Sequence, residues 1–373
     1  NLRLALSLSL IFMFNFEVNA QNSTIEEVIV SAEKRDESLQ DISQAVSALT
    51  DSDLENKNIE SFVDLSAIVP GVTVSKNEGY KTVISIRGVG NETNQNAIAA
   101  PSVAFHIDGV FIASPFSLLS DFIDIDRIEV LRGPQGTLFG QNSTGGAINV
   151  ISKKPTTDDY YGKADVTLGN YDLLKYRSSV NIPINEKVAT RFSFSSTERD
   201  GFSENIVNGQ DLDDANNLSL RSDWVIETSE TSSLRIFAQY FDIDRNGAAM
   251  RGIDDQTAGI RHLAQDTLSN QELTSKVFAA IYEQDLGYAN LKILASSQED
   301  DISVTRDNDR HNLGETVAAI PGLEGTTYIK AEFRPETSLV ETKTLEVNLI
   351  SNEPILNGKL DWVAGAFYMD HKI

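Results

Sequence analysis

The sequence predicts a mainly β protein: a small α/β globule followed by a transmembrane antiparallel β-barrel. Three observations carry that prediction. From Tyr161 onward, apolar and polar residues alternate with period two in one stretch after another. The connections between these stretches, after the first, run alternately short and long. Before Tyr161 the chain mixes short helical and extended patterns and ends in a glycine-crowded segment.

Residues 1–20 read as a secretory signal peptide, with Arg3 as its basic start and an apolar stretch over residues 4–16. Val18 and Ala20 stand at −3 and −1 to a cleavage before Gln21. A chain opening on Asn1 rather than Met is expected to lack its first codons. Residues 21–40 are polar apart from one β-prone patch: Glu27, Val28, Ile29, Val30, Ser31 and Ala32. Val28 to Val30 are β-branched and follow a flexible end. Such a segment can add as an exposed strand to a partner's sheet edge.

Residues 41–155 form the expected globule. Asp51 is placed to cap a helix carrying Leu54 and Ile59. A second short helix over residues 61–68 stops at Pro70 and Gly71. Residues 72–74, 83–86 and 103–107 are strand-like. Two further strands, 128–131 and 147–151, enclose Gly133, Gly136, Gly140, Gly145 and Gly146, which permit tight turns and close backbone approach.

Residues 160–373 supply the barrel. Alternation is clearest at Leu218, Leu220, Trp224 and Ile226 against Ser219, Arg221 and Asp223. Strands are expected over 163–168, 174–182, 188–194, 218–226, 234–241, 276–282, 289–297, 344–349 and 360–369. Tight turns on one side and long loops on the other suit an up-and-down membrane barrel. The charged sets facing away from the apolar ones suit a wet lumen and a polar-surfaced globule within it. An odd strand count ending at the chain's end leaves an open edge, which lipid penalises; a missing C-terminal portion is expected.

Composition narrows the function. A net charge of −24 argues against nucleic acid as a partner. The absence of cysteine excludes disulfides, thiol chemistry and iron–sulfur clusters. No nucleophile elbow, phosphate loop or His-Glu-x-x-His motif points to an enzyme. The four histidines, His106, His262, His311 and His371, lack metal-ligand spacing, and no cofactor is expected. Asp211, Asp213 and Asp214 read as a solvated loop rather than a calcium site.

Four segments resemble the TonB-dependent outer-membrane receptors, in family order. Glu-Val-Ile-Val-Ser-Ala at 27–32 resembles a TonB box. Ile-Ser-Ile-Arg-Gly-Val-Gly at 84–90 resembles the plug's arginine–glycine strand, with Arg87 and Gly88 at its turn. Val-Ala-Phe-His-Ile-Asp-Gly-Val-Phe-Ile at 103–112 resembles the central plug strand, turning at Asp108 and Gly109. The fourth, 128–155, resembles the end of the plug and contains Ile-Glu-Val-Leu-Arg-Gly-Pro.

The resemblance implies a plug in the lumen of a barrel of about 22 strands, placed in the outer membrane of a Gram-negative bacterium. It also implies energy from TonB with ExbB and ExbD, an external small-molecule or metal-chelate ligand, and plug arginines Arg87 and Arg132 contacting carboxylates on the barrel wall. The cargo implied first is a ferric siderophore; cobalamin, haem or a glycan fragment are the alternatives. Phe333-Arg334-Pro335-Glu336 lacks the haem receptors' Phe-Arg-Ala-Pro pattern. A non-energised porin or an adhesin would not require the globule.

Overall fold

The computed structural model describes residues 28–31, 34–35, 37–40, 42–77, 81–90, 100–114, 116–119, 122–252, 255–307, 310, 336–358 and 360–373. Among these, no helix is long and apolar enough to cross a membrane. His311 and the Phe333–Arg334–Pro335 stretch lie outside the described residues.

The globule opens on strands β1 (Ile29–Val30), β2 (Glu37–Ser38) and β3 (Val46–Thr50). Helices α1 (Asp51–Asn56) and α2 (Leu65–Ile68) follow. Next come β4 (Val72–Asn77), β5 (Lys81–Ile86), β6 (Val89–Gly90), β7 (Val103–Ile107) and β8 (Val110–Phe111). Strand β9 (Ile125–Arg132), the short helix α3 (Gly136–Phe139) and β10 (Gly146–Ser152) complete it.

The main sheet has the order β3-β9-β10-β7-β8, with β10 and β7 parallel. Both are buried along their whole length. A strand covered on both faces gains from apolar residues at successive positions, and Ala147-Ile148 and Val150-Ile151 provide them. Helix α1 is capped one residue earlier than Asp51. Thr50 Oγ1 accepts the Asp53 N–H at 3.3 Å and the Asp53 carboxylate accepts the Thr50 N–H in return, the reciprocal pairing of a capping box. Asp51 instead pairs with Lys153 at 2.6 Å.

The wall is one nine-stranded antiparallel sheet in chain order. Its first strands are β11 (Tyr161–Leu168), β12 (Leu174–Asn185) and β13 (Val188–Arg199). Strands β14 (Ser203–Asn205) and β15 (Gln210–Leu212) lie in a long loop. The wall resumes with β16 (Ala215–Ser229) and β17 (Ser232–Arg245). A second loop carries β18 (His262–Leu263). The last wall strands are β19 (Asn270–Asp285), β20 (Ala289–Thr305), β21 (Glu336–Ser351) and β22 (Val363–Lys372). Loop strands β15-β14-β18 form their own small sheet.

Arg221 and Asp223 are buried on the globule side, whereas Leu220 of the same strand is exposed. Successive strand residues point to opposite faces, so Leu218, Trp224 and Ile226 lie with Leu220 on the outer face.

Two expectations are corrected. Several wall strands run further than the alternation showed; β20 continues from Ser297 to Thr305. Its outward positions there are Glu299, Asp301 and Ser303, so the outer face is polar while the ladder with β21 continues. The lumen is also not uniformly wet. Phe237, Val277, Ala279, Ile281 and Leu294 of the wall are buried in one apolar cluster with the globule's Phe105, Ile107 and Ile148. Phe241, Ile243, Leu273, Ile302 and Val304 form a second cluster with Phe116 and Leu119. Alternation cannot distinguish a water-lined lumen from one filled by another domain.

Candidate functional site

The N-terminal patch is folded back onto the globule rather than exposed. Strand β1 pairs with β2, with Ile29 opposite Ser38 and Val30 opposite Glu37. The Leu39 N–H donates to the Val28 carbonyl at 2.9 Å. Val30 is 0% exposed, packed among Ala104, Phe111, Leu131, Phe139 and Ala147, while Ile29 is 41% exposed. Glu27 and Ala32 lie outside the described residues.

A buried carboxylate anchors this segment. Glu129 of β9, 0% exposed, accepts the Ser31 N–H at 2.9 Å and the Ser31 hydroxyl at 3.2 Å. Arg127 Nε donates to the same oxygen at 2.9 Å, and Asn149 Nδ2 donates to the other at 3.3 Å. Just beyond, Lys34 pairs with Glu346 of β21 at 2.8 Å. Arg35 pairs with Asp361 at 2.8 Å and donates to Ser351 Oγ at 2.7 Å. The described hold on β1 is therefore short: a two-residue ladder, one buried valine worth about 1.5–3 kcal/mol, and hydrogen bonds between Ser31 and two charged groups, Glu129 and Arg127, at about 1.5–3 kcal/mol each.

A fully buried set of ion pairs ties globule and wall elsewhere. Asp108 and Gly109 turn the chain from β7 to β8 with φ of 52° and 83°, the positive values that favour Asp-Gly in a tight hairpin. The Asp108 carboxylate accepts the Ser152 N–H at 3.0 Å and the Ser152 hydroxyl at 2.7 Å. It also accepts Arg221 at 2.6 Å and Arg235 at 3.2 Å. Asp223 holds the same two guanidinium groups at 3.0 and 2.6 Å. Two carboxylates and two guanidiniums thus balance in a site from which water is excluded. Burial alone would raise the Asp108 carboxyl, but Arg235 and Arg221 overcome it and hold it well below the usual carboxylate range.

The same polarity recurs around the wall. Arg191 grips Asp124 with two nitrogens, one at 2.7 Å, and Ser193 Oγ donates to Asp124 at 2.7 Å. Lys175 and Arg177 hold Glu60 at 2.7 and 3.0 Å. In these contacts the globule supplies carboxylates and the wall supplies cations, the reverse of the expected arrangement. Arg87 is exposed in its turn with φ of 53°. Arg132 uses its backbone N–H on the Ala45 carbonyl, and its Nε is buried without a partner. Neither forms an ion pair among the described residues.

Of the remaining glycines, Gly146 is the least replaceable: with φ of 147°, its Cβ would sit 2.2 Å from the Leu131 carbonyl oxygen. At Gly145 the Val89 carbonyl oxygen would be met at 2.8 Å. Gly88, Gly133 and Gly140 take positive φ, whereas Gly136 opens α3.

Among the described residues, no group of three or more His, Asp or Glu side chains could hold a metal. Asp213 accepts the Ser203 hydroxyl at 2.6 Å and the Ala249 N–H at 3.0 Å, and Asp214 accepts the Asn246 N–H at 2.9 Å. These carboxylates brace their loop.

A small domain ion-paired against a nine-stranded antiparallel wall is the arrangement of a plugged β-barrel. Residues 38–147 match the family described as TonB-dependent Receptor Plug Domain. The iron-regulated outer membrane virulence protein of Vibrio cholerae is 33% identical over 157 residues, which are 40% of this chain and 24% of that protein. The vitamin B12 transporter of Vibrio vulnificus is 27% identical over 186 residues, 49% of this chain and 30% of that protein. The crystal structure of the ferric yersiniabactin uptake receptor of Yersinia pestis superposes with a TM-score of 0.72 at 15% identity. That match covers 88% of this chain and 48% of the receptor. The matched part of the chain thus spans about a quarter of the first relative's length and about half of the solved receptor's.

Residues 38–147 carry the plug domain of the TonB-dependent receptors, and the chain's place is the outer membrane of a Gram-negative cell.

Proposed function

We propose that this chain serves the TonB-dependent import of a ferric siderophore, with residues 27–32 as the segment on which TonB, powered by ExbB and ExbD, pulls. The observation that carries the reading is the lodging of β1. It is a short strand with a β-branched face, held to the plug by Val30, Glu129 and Arg127 and to the wall by Lys34 and Arg35. Such an element can leave its site without the main sheet breaking, and then add to a partner's sheet edge. The plug's seat on the wall uses other residues, Asp108, Asp124 and Glu60, which separates the part that is pulled from the part that closes the lumen.

An iron chelate is favoured by the iron-regulated relative and the ferric-chelate receptor of similar fold. Cobalamin is the second reading, favoured by the vitamin B12 transporter. Arg87 and Arg132 remain proposed wall contacts. Deleting the gene, or TonB, is expected to abolish growth on one ferric siderophore as sole iron source while leaving growth on soluble iron unchanged. Normal growth on every siderophore supplied, with loss of growth on limiting cobalamin, would replace the first reading by the second. Growth independent of TonB on all of them would contradict both.

A further inference from the structure

Buried carboxylates along the seam between plug and wall have cationic partners. Asp108 and Asp223 share Arg221 and Arg235, and Asp124 has Arg191. Asp300 of β20 is different. It is 2% exposed and has no cationic partner among the described residues. Hydroxyl groups meet it instead. Ser117 Oγ of the plug donates to it at 2.7 Å, and the hydroxyls of Ser275 and Ser114 bond to it as well. Ser117 itself is buried, with Ser275 Oγ at 3.5 Å. On the same inward face of β20, Gln298 Nε2 donates to the Phe111 carbonyl at 2.6 Å, while its Oε1 is buried without a partner.

No charge on the surrounding elements compensates this carboxyl. Ser275 stands opposite it on β19, between Leu273 and Val277 on the inward face. Val340 stands opposite it on β21, between Ser338 and Thr342. The plug residues against it, Ser114 and 116–119, are uncharged. Leu273 and Ile302 close over it in a dry cluster with Phe116, Leu119 and Phe241. Toward the long loops, Arg245 and Arg306 face Gln271 and Glu336. Glu299 and Asp301 flank it on the outer face, above the apolar band, and Glu299 opposes a second negative charge. Burial pushes the Asp300 carboxyl above the usual carboxylate range, against the pull of its three serine hydrogen bonds.

We propose that Asp300 is a proton-operated latch between Ser117 of the plug and the wall. Protonated, the carboxyl is neutral, and the seam closes dry around it. On losing its proton to water it becomes a buried negative charge faced by hydroxyls alone. Such a charge is costly to keep from water, so the ionised latch favours a parted, hydrated seam. The closed seam binds the proton more tightly than the parted one. The latch therefore holds best at low pH and weakens as pH rises through the window between the ordinary carboxylate value and the raised one. Asp108 lies outside that window, because its arginines hold it low. One seam thus has a seat indifferent to pH and a latch that answers to it.

The test uses the full-length receptor in lipid nanodiscs. Hydrogen exchange at Phe116–Leu119, corrected for the intrinsic pH dependence of exchange, should rise at least about tenfold from about pH 5 to about pH 8. Exchange of the β10 amides should stay within about twofold over the same range. Asp300→Asn keeps the shape without the titrating proton, and Asp300→Leu removes the polar group altogether. In both, exchange at Phe116–Leu119 should differ by no more than about twofold between the two pH values. The infrared difference between the receptor and Asp300→Asn should show the C=O stretch of a protonated carboxyl at about pH 5, above the usual aspartate value of about 3.9, and lose it as pH rises. An unchanging wild-type seam would overturn the latch, as would a full pH step in either variant. Absence of the protonated carboxyl band at about pH 5 would overturn it as well.

Discussion

Arg235→Ala should unseat the plug. Its guanidinium spans Asp108 of the plug and Asp223 of the wall, at 3.2 and 2.6 Å, and all three groups are buried. Removing one partner leaves negative charge that Arg221 alone must answer, and breaking a buried ion pair costs about 3–5 kcal/mol. Hydrogen exchange of the β7 and β10 amides should accelerate about 150- to 4,000-fold where exchange follows plug opening. Large antibiotics should then leak into cells. Asp108→Asn in the same background should recover part of the protection, because it removes the stranded carboxylate. Unchanged exchange in Arg235→Ala would show that the apolar clusters, not the charges, seat the plug.

Glu129→Ala should release β1 in advance of any partner. It removes the acceptor for both the Ser31 N–H and the Ser31 hydroxyl. Hydrogen bonds to a charged group contribute about 1.5–3 kcal/mol, so exchange at Ser31 should rise about 10- to 100-fold. A receptor whose strand is already free no longer spends binding energy on releasing it. Its affinity for the isolated C-terminal domain of TonB should rise by at least about fivefold. Glu129→Gln keeps an acceptor oxygen and should fall between the two. A faster-exchanging β1 with no gain in affinity would mean that the segment's release does not limit TonB pairing.

Much of the architecture is legible in the sequence because a lipid-facing wall demands it. Leu218, Leu220, Trp224 and Ile226 must meet hydrocarbon, and Arg221 and Asp223 must not, so β16 announces itself. The ladder's extension past Ser297 is not legible, since above the apolar band Glu299 and Asp301 face water on a strand whose backbone is still paired. Nor are β14, β15 and β18, which are two or three residues long. The turn at Asp108 is readable as Asp-Gly. Its partners are not, because Arg221 and Arg235 lie 113 and 127 residues away along the chain. Glu129 did carry a signal. A carboxylate between Ile128 and Val130, in a strand buried on both sides, has to find donors. The fold-back of β1 had no comparable mark: a β-branched patch looks the same whether it is free or pressed into a groove over Phe111 and Leu131.

In the mechanism proposed above, energy enters at β1 and ligand binding does not depend on it. Pairing to a partner's strand uses backbone N–H groups, which proline lacks, and Ile29 is the β1 residue whose side chain is already exposed. Measuring surface binding and energised uptake of the same labelled siderophore in Ile29→Pro and Ile29→Val receptors tests this most directly. Binding should be near normal in both, uptake near normal in Ile29→Val, and uptake reduced to background in Ile29→Pro. Full uptake by the proline receptor, with binding intact in both, would contradict it.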